Sequence, residues 1–383
     1  MPRWNNGRVH ALWIPSWYPA DDQDLAGSFF REQLQALAAA GLRVGALVPH
    51  LVPPTRPLTA PRAATEGPVR LVRFPARRAW LTTRRLSTTL AHRQLAAAWR
   101  SYVARWGRPD ILHAHGLFPG AYFAHHLAVR HALPWVYTEH RSLTHAPART
   151  WGGRASERAL VAAAAARTGV SRPHAAALAT RFAQPAAWQA LPNLAPAVPP
   201  PAPRPPVGEP VVGHLSVPHP VKRHDLLLAA FARAFPTRGR LRLAGDLTGP
   251  YGATVRALVA ANPAADRIDL VGPLPRAAVP TFLANLDVFA LPSRSETCGV
   301  SLLEALSVGT PVVTTPTWGG RDLADLPHYG RQAAPTVAAF AAALQAVAAE
   351  NPHTRPARAA FAAARYGPAA YTRRVRALYE SAS

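Results

Sequence analysis

Short apolar runs alternate with longer amphipathic stretches along this chain, and the alternation occurs twice, once on each side of a proline-dense segment. That pattern argues for α/β folding around parallel sheets. In the first half, strands are expected at 8–15, 43–50, 69–75, 111–115, 134–140 and 167–171. The clearest helix is 28–40: Ser28 is placed to cap it, Phe30, Leu34 and Leu37 form one stripe, and Gly41 ends it. Residues 192–209 hold many prolines and few large apolar side chains, a composition that reads as an extended linker. Beyond it, strands are expected at 210–216, 240–246, 267–271, 287–292 and 311–315. Helices are expected there at 224–235, 253–261, 277–285, 299–307, 336–349 and 369–381. At 383 residues the chain is long for one core and comfortable for two. The expected division is 1–191, the linker 192–209, 210–366, and a last helix within 367–383 that packs back towards the first half. Two such halves imply a cleft between them, with ligands at the carboxyl ends of strands.

Composition narrows the setting. Formal net charge is +23, from 43 Lys+Arg against 20 Asp+Glu, and nearly all the basic residues are Arg. Such a balance implies anionic partners: nucleotides, acidic lipid headgroups or nucleic acid. Heavy use of Ala, Arg and Pro throughout gives a second, purely compositional account of a basic surface. Arg is densest between Arg62 and Arg108, where Trp80, Leu81, Leu86, Trp99 and Trp106 are interleaved, a pattern compatible with an acidic membrane surface. No apolar run reaches the roughly 18 residues of a membrane-spanning helix. The start, Met1-Pro2-Arg3-Trp4, lacks the apolar core and cleavage site of a secretory signal. A single cysteine, Cys298, rules out an intrachain disulfide framework and fits a reducing compartment. A cytoplasmic protein is expected, peripheral on the inner membrane face if the basic patch is functional.

The stretch 291–315 carries the most chemistry: Leu-Pro-Ser-Arg-Ser-Glu-Thr-Cys-Gly-Val-Ser-Leu-Leu-Glu-Ala-Leu-Ser-Val-Gly-Thr-Pro-Val-Val-Thr-Thr. It reads as a strand end, a polar turn, a helix from near Gly299, a stop at Gly309 and another strand. Glu296 falls in the turn and Glu304 inside the helix. A turn at a helix N-terminus offers free N–H groups and partial positive charge to phosphate or to sugar hydroxyls. Carboxylates beside it are placed to accept hydrogen bonds from vicinal hydroxyls. Spacing alone also allows Glu296 to be a helix cap and Glu304 an ordinary exposed helical residue.

This stretch resembles the donor-binding signature of the family-4 retaining glycosyltransferases. That signature is a strand ending in Pro-Ser, a Glu, a turn with Gly, and a second Glu after seven intervening residues, followed by Ala, a small residue, Gly and Thr/Pro-Val-Val. The family has the GT-B fold, an α/β architecture of two Rossmann-like doubly wound domains facing across a cleft. The resemblance implies that Glu296 contacts the transferred sugar and Glu304 the ribose hydroxyls of a nucleotide. Backbone amides of Cys298, Gly299 and Val300 would meet sugar hydroxyls, and those of Val300 and Ser301 the diphosphate. Thr297-Cys298 departs from the family's small residue plus aromatic, which leaves the donor open.

Val212-Gly213-His214-Leu215-Ser216, followed by Lys222-Arg223-His224-Asp225-Leu226-Leu227, is similar to the family's Gly-Arg-Leu … Lys-Gly segment, where a basic pair grips the β-phosphate. Lys222 matches the lysine. His214 stands at the arginine position and would be partly charged near neutral pH, and Arg223, in place of the usual glycine, is expected to compensate. A cation aimed at the leaving diphosphate lowers the barrier by roughly 2.7–4 kcal/mol. Without an anion nearby, basic residues at a helix start would oppose its dipole. Leu243-Ala-Gly-Asp246 resembles the family's strand ending in Gly-Asp/Glu-Gly. Val271-Gly272-Pro273-Leu274 resembles the loop whose backbone lies along the base.

In the first half, Ala26-Gly-Ser-Phe-Phe-Arg-Glu-Gln33 follows Pro15-Ser-Trp-Tyr-Pro19 and resembles the family's first loop, in which Gly27 lets the backbone approach donor phosphates and acceptor. Trp17 and Tyr18 read either as sugar-stacking or lipid-facing aromatics or as simple packing. Trp135-Val-Tyr-Thr-Glu-His140 resembles the family's Val-x-Thr-x-His, which implies that the neutral imidazole of His140 bonds the sugar's primary hydroxyl. His113 and His115 have a spacing used by some metal sites, but with one cysteine and no nearby acidic cluster zinc is not expected. Leu191-Pro-Asn193 matches the family's Pro-Asn-Gly, with Leu194 for the Gly.

The resemblance covers nearly the whole chain, strongest over 287–315 and weakest over 51–110. It implies a retaining hexosyltransferase that needs neither metal nor cofactor. Its donor would be a nucleotide-diphosphate sugar, and its acceptor a polysaccharide-precursor or lipid-linked glycan. A GT-B sugar-nucleotide epimerase or sugar-phosphate synthase would share the architecture. A glycoside hydrolase needs two flanking carboxylates, and Glu296 alone reads as sugar-facing. A non-catalytic nucleic-acid or membrane-surface binder would account for the charge, but no nucleic-acid-binding motif occurs and no such partner is expected. A dinucleotide-binding enzyme needs G-x-G-x-x-G after its first strand, which neither Gly7 nor Gly27 supplies.

Overall fold

The computed structural model describes residues 9–21, 24, 27–53, 55–77, 84–143, 153–184, 188–198, 208–324, 329–350 and 354–382. The chain divides into two compact units. One is Met1–Val170 with Ala175–Leu191 and Tyr371–Ser383; the other is Ser171–His174 with Pro192–Ala370.

The first unit is built on β1 (His10–Pro15), β2 (Arg43–Val52), β3 (Arg62–Glu66), β4 (Val69–Arg77), β5 (Ile111–His115), β6 (Trp135–Glu139), β7 (Ala166–Gly169) and β8 (Trp188–Ala190). They form one sheet in the order β3-β4-β2-β1-β5-β6-β7-β8. All pairs are parallel except β3 with β4. Every residue of β1, β5 and β6 is buried, so these strands read as nearly continuous apolar runs rather than as alternation. Helices α1 (Ser28–Ala39), α2 (Arg84–Trp106), α3 (Tyr122–His131), α4 (Gly153–Ala162) and α5 (Arg172–Phe182) lie between the strands. The core joins Leu12, Ile14 and Phe74 of the sheet to Leu95 and Tyr102 of α2 and Phe123 of α3.

Two expectations for this unit are corrected. Ser28 does not cap α1: Gly27 holds the cap position at φ 82°, and no side chain bonds the free amides. The aromatics assigned to a membrane-facing patch are packing residues where they are described. Trp99 is buried and stacked on His131 with ring centroids 4.3 Å apart, and Trp106 sits edge-on to Tyr102 at 5.1 Å. Trp80, Leu81 and the side chain of Leu86 lie outside the described residues. No helix among the described residues is long and apolar enough to cross a membrane.

The second unit contains β9 (Val211–Leu215), β10 (Arg240–Ala244), β11 (Ile268–Gly272), β12 (Val288–Leu291), β13 (Val312–Thr314) and β14 (Gly330–Gln332), all parallel, in the order β11-β10-β9-β12-β13-β14. Its helices are α6 (His224–Ala234), α7 (Pro250–Ala260), α8 (Val279–Ala284), α9 (Val300–Ser307), α10 (Trp318–Leu323), α11 (Val337–Ala348) and α12 (Arg355–Tyr366). Leu227 and Phe231 on α6 meet Phe340 and Leu344 on α11 in one core, each worth about 1.5–3 kcal/mol when fully buried. The linker reading fails for 192–195. Asn193, Leu194 and Ala195 are buried, and the Ala195 N–H donates to the Tyr366 carbonyl over 2.8 Å. Small residues there fit against a neighbour that the composition does not reveal; 199–207 lie outside the described residues. The last helix, α13 (Pro368–Glu380), belongs from Tyr371 onward to the first unit, where Trp13 donates its Nε1–H to Tyr379 Oη over 2.8 Å.

In each sheet the strand order reverses beside the first strand of its unit, between β1 and β5 and between β9 and β12. The loops leaving the carboxyl ends of such strand pairs form the ligand crevice of open α/β sheets.

Candidate active site

In the second unit, the reversal places the segment after β9 beside the segment after β12. Lys222 ends a short 3₁₀ turn on the first; Glu296 lies in the turn before α9 on the second. Lys222 Nζ is 2.6 Å from Glu296 Oε1, with the two side chains 21% and 13% exposed. The same oxygen accepts from the Ser293 hydroxyl at 2.8 Å. The Arg294 N–H donates to the Val221 carbonyl over 2.8 Å and ties the two loops together. Glu296 is therefore not the cap of α9. That helix opens at Gly299, φ 73°, with no side-chain cap, leaving its first amides, those of Val300 and Ser301, to an outside acceptor. A Cβ at Gly299 would lie 2.7 Å from Leu302 Cδ1, so space as well as backbone conformation requires glycine.

Glu304 is not an exposed helical residue either. It is 5% exposed and ion-paired with Arg276 Nη1, from the 3₁₀ turn that leads into α8. Cys298 is buried, and burial pushes its thiol up to about 12 while hydrogen bonds from Asn193 oppose the shift. The thiol stays protonated and unreactive. Thr297 offers its carbonyl to the Ser171 hydroxyl at 2.6 Å, and the Gly319 N–H donates to the Glu296 carbonyl at 3.0 Å. The turn that carries Glu296 is thus held from both sides.

His214 departs from expectation. It is fully buried, its Nδ1 2.8 Å from the Ala290 carbonyl and its Nε2 2.8 Å from the Ser216 hydroxyl. Burial first, then His224 and Lys222, lower its pKa to about 3. The ring is neutral and supplies no cation. Arg223 takes φ 55°, a left-handed conformation natural to glycine, and its guanidinium is paired with Asp225 at 3.0 Å. Gly213 lacks room for a Cβ because the buried Leu286 side chain would be struck, so this glycine serves strand packing. Gly272 ends β11 at φ 80°, followed by exposed Pro273 and partly exposed Leu274.

In the first unit, Gly27 is required twice over: φ is 82°, and a Cβ would lie 2.8 Å from Trp17 Cδ1. Trp17 packs against Phe30 and carries Arg141 over its ring at 4.5 Å. Tyr18 is buried and donates to Glu66, which also binds Arg31 and Arg73. Both aromatics are packing residues. His140 follows β6 and is 8% exposed, with Nε2 3.0 Å from His115 Nδ1 and its ring among Phe29, Phe30 and Trp17. The residue before it, Glu139, is fully buried. It accepts from the backbone N–H groups of Leu117, His140 and Arg141 and from the Tyr137 hydroxyl. Burial raises that carboxyl's pKa above the ordinary value, against the opposing pull of the Tyr137 hydroxyl, the Arg141 and His140 N–H groups and the Arg141 charge. A carboxylate closing an otherwise apolar buried strand was the available sign of this role. Arg276 and Ser171 had no sign in the sequence.

Residues 26–193 match a family profile described as Glycosyl transferase 4-like domain, and residues 209–350 one described as Glycosyl transferases group 1. A 2-deoxystreptamine N-acetyl-D-glucosaminyltransferase from Streptomyces fradiae is 43% identical over 74 residues, 19% of this chain and only 18% of that protein. Among solved structures, sucrose-phosphate synthase from Thermosynechococcus elongatus superposes with a TM-score of 0.76 at 20% identity, over 97% of this chain and 98% of that one. Anabaena HepE in complex with UDP and glucose gives 0.70 at 16% identity, over 97% and 100%. At such identities these two likenesses speak for the fold. With both profiles matched in sequence order and two parallel-sheet Rossmann-like units, the chain belongs to the family-4-like, group 1 glycosyltransferases of GT-B fold.

Proposed function

We propose that this glycosyltransferase moves a hexosyl-type sugar from a nucleotide-diphosphate donor to its acceptor with retention of anomeric configuration and without a metal ion. The observation that carries the reading is the pairing of Lys222 with Glu296 at the strand-order reversal, beside an uncapped helix start. Lys222 is the only lysine in a chain with 43 Lys+Arg, so arginine has been used at every other basic position. Its compact ammonium can meet a diphosphate oxygen as a point charge. As the anomeric C–O bond breaks, negative charge grows on the leaving diphosphate. Lys222 and the amides of Val300 and Ser301 stabilise that charge. Glu296 accepts hydrogen bonds from sugar hydroxyls, Glu304 those from the ribose, and His140 bonds the primary hydroxyl. No protein nucleophile is needed if the departing phosphate oxygen takes the acceptor proton on the same face.

The acceptor is a neutral or anionic glycan, such as a polysaccharide precursor or a lipid-linked chain at an anionic membrane surface. Exposed Arg93, Arg100 and Arg105 on α2, with Arg108 just beyond it, supply a basic surface for such an encounter. Sedimentation with anionic vesicles at low and high salt tests the membrane part; absence of binding at low salt refutes it. For the reaction itself, UDP-, GDP-, ADP- and dTDP-sugars are incubated with candidate acceptors, and the product anomer is read by NMR. A glycoside with the donor's configuration supports the proposal. An inverted product, a free epimerised sugar nucleotide or a sugar phosphate product contradicts it.

A further inference from the structure

Two ion pairs bracket the start of α9. Lys222 meets Glu296 in the turn before the helix, and Arg276 meets Glu304 inside it. Glu304 falls four residues after Val300, the first of the helix, and so lies about 6 Å along the axis from the uncapped amides. A diphosphate held at those amides leaves its ribose near the Glu304 carboxylate, as the proposed function requires.

The second pair joins two segments that other contacts already fix. Arg276 opens the 3₁₀ turn Arg276–Ala278, closed by the Ala278 N–H on the Pro275 carbonyl at 2.9 Å, and the turn runs straight into α8. The far end of α8 is tied to the segment leaving α9. The Thr310 hydroxyl donates to the Leu283 carbonyl at 2.8 Å, and Arg355 Nη2 donates to the Ala284 carbonyl and to Thr310 Oγ1, each at 2.8 Å. Upstream, β11 is paired with β10, and the Gly245 N–H donates to the Gly272 carbonyl at 2.9 Å. The Arg276 guanidinium thus reaches Glu304 from a frame that is locked to α9 without it.

The two partners are unequally buried: the Glu304 side chain is 6% exposed and that of Arg276 27%. Burying a carboxylate so far with no cation beside it is costly and favours its neutral form. A protonated carboxyl turns one of its oxygens into a donor and is a poorer acceptor for a pair of hydroxyls. Arg276 opposes that loss. An ionised carboxylate offers about four acceptor sites, so an arginine on Oε1 and two vicinal hydroxyls can share it.

We propose that Arg276 is a positioning residue for Glu304: by holding Oε1 from the β11 side, it sets the orientation in which the carboxylate meets the ribose hydroxyls, and so governs the preference for a hydroxylated over a dideoxy nucleoside diphosphate. This rests on the ribose role given to Glu304 above. The residue that aims the carboxylate stands on the loop after β11, outside the stretch 291–315 that carries Glu304 itself.

Calorimetric titration of UDP, GDP, ADP and dTDP, each beside its 2′,3′-dideoxy counterpart, separates the contact to the hydroxyls from every other contact of the nucleotide. Wild type is expected to bind the hydroxylated form of its nucleotide at least about tenfold more tightly, as hydrogen bonds to a charged group imply. Arg276→Gln should weaken the hydroxylated form at least about fivefold and leave the dideoxy form within about twofold, so that the preference shrinks. Arg276→Lys keeps the cation without the planar fork and is expected to restore part of the preference. Glu304→Ala abolishes the preference, and adding Arg276→Gln to it changes the affinity of neither form. Three results in Arg276→Gln overturn the assignment. Equal weakening of both forms shows a role in loop structure alone, tighter binding of the hydroxylated form shows that Arg276 competes with the hydroxyls, and an undiminished preference shows that Glu304 needs no such partner. Equal binding of both forms by wild type would instead remove the ribose reading of Glu304, and the assignment with it.

Discussion

Replacing Lys222 with alanine removes the cation 2.6 Å from Glu296 and leaves that carboxylate with the Ser293 hydroxyl. Across about 3–4 Å at an effective dielectric near 20, the gross attraction is about 4–6 kcal/mol. Side-chain ordering and partial desolvation leave a net contribution of about 1–2 kcal/mol, between the values for exposed and buried pairs. That corresponds to a fall in Tm of about 2–8 °C for a unit of this size. The catalytic effect is larger and of different origin. Loss of a charge aimed at the leaving diphosphate costs roughly 2.7–4 kcal/mol in the transition state, on the order of 10²–10³ in kcat. Lys222→Arg keeps the charge but broadens it into a planar fork, so its kcat should fall between the two. The assay is nucleotide-diphosphate release under saturating donor, with thermal unfolding followed on the same samples. If the alanine variant loses no more activity than its folded fraction accounts for, Lys222 is a structural ion-pair partner and the leaving-group argument is wrong.

Three further outcomes follow from the geometry. Tyr379→Phe removes the acceptor of the Trp13 N–H and the partner of His113 Nδ1, which costs about 1–3 kcal/mol; an unchanged Tm and unchanged tryptophan fluorescence would show that the Tyr379 hydroxyl does not bridge the two. Gly45→Ala drives a Cβ into the Tyr102 hydroxyl and to 2.6 Å from the Arg70 carbonyl. It should destabilise by about 1–3 kcal/mol, and a urea midpoint equal to wild type contradicts it. Acid should weaken the second unit. His214 is held neutral in the fold, with its pKa lowered to about 3 by burial, whereas the unfolded chain takes up a proton below about 6.5. Its contribution is fully present above that value and declines by up to about 1.4 kcal/mol per pH unit as pH falls towards 3. A urea midpoint flat between pH 7 and 4.5 would refute the burial of a neutral imidazole there.

The parallel strands were legible because burial on both faces produces apolar runs with clear ends, as at β1 and β5. Elements were missed where the packed face carries charge or nothing distinctive. Helix α12 buries Arg355 and Arg358, whose guanidinium groups hold the carbonyls of Leu286 and Gly309 at 2.9 and 2.6 Å. A search for apolar stripes passes over such a face. Edge strand β3 is almost wholly exposed, with no alternation to read. At the site, resemblance to a family signature pointed to Lys222, Glu296 and Glu304, and folding brings the first two, from different loops, to 2.6 Å. The resemblance misjudged His214, since burial and two neutral hydrogen bonds decide a histidine's charge and neither is written in the local sequence. The Arg276 partner of Glu304 comes from a different loop and could only be found by folding the chain.

The central claim is that the second unit holds a nucleoside diphosphate through Glu304, Lys222 and the start of α9. Calorimetric titration of UDP, GDP, ADP and dTDP into wild type and Glu304→Ala tests it most directly. The account predicts saturable binding of one of the four to the wild type and marked weakening in the variant, with both proteins folded. No binding of any of the four to folded wild type, or binding that Glu304→Ala leaves unchanged, contradicts it.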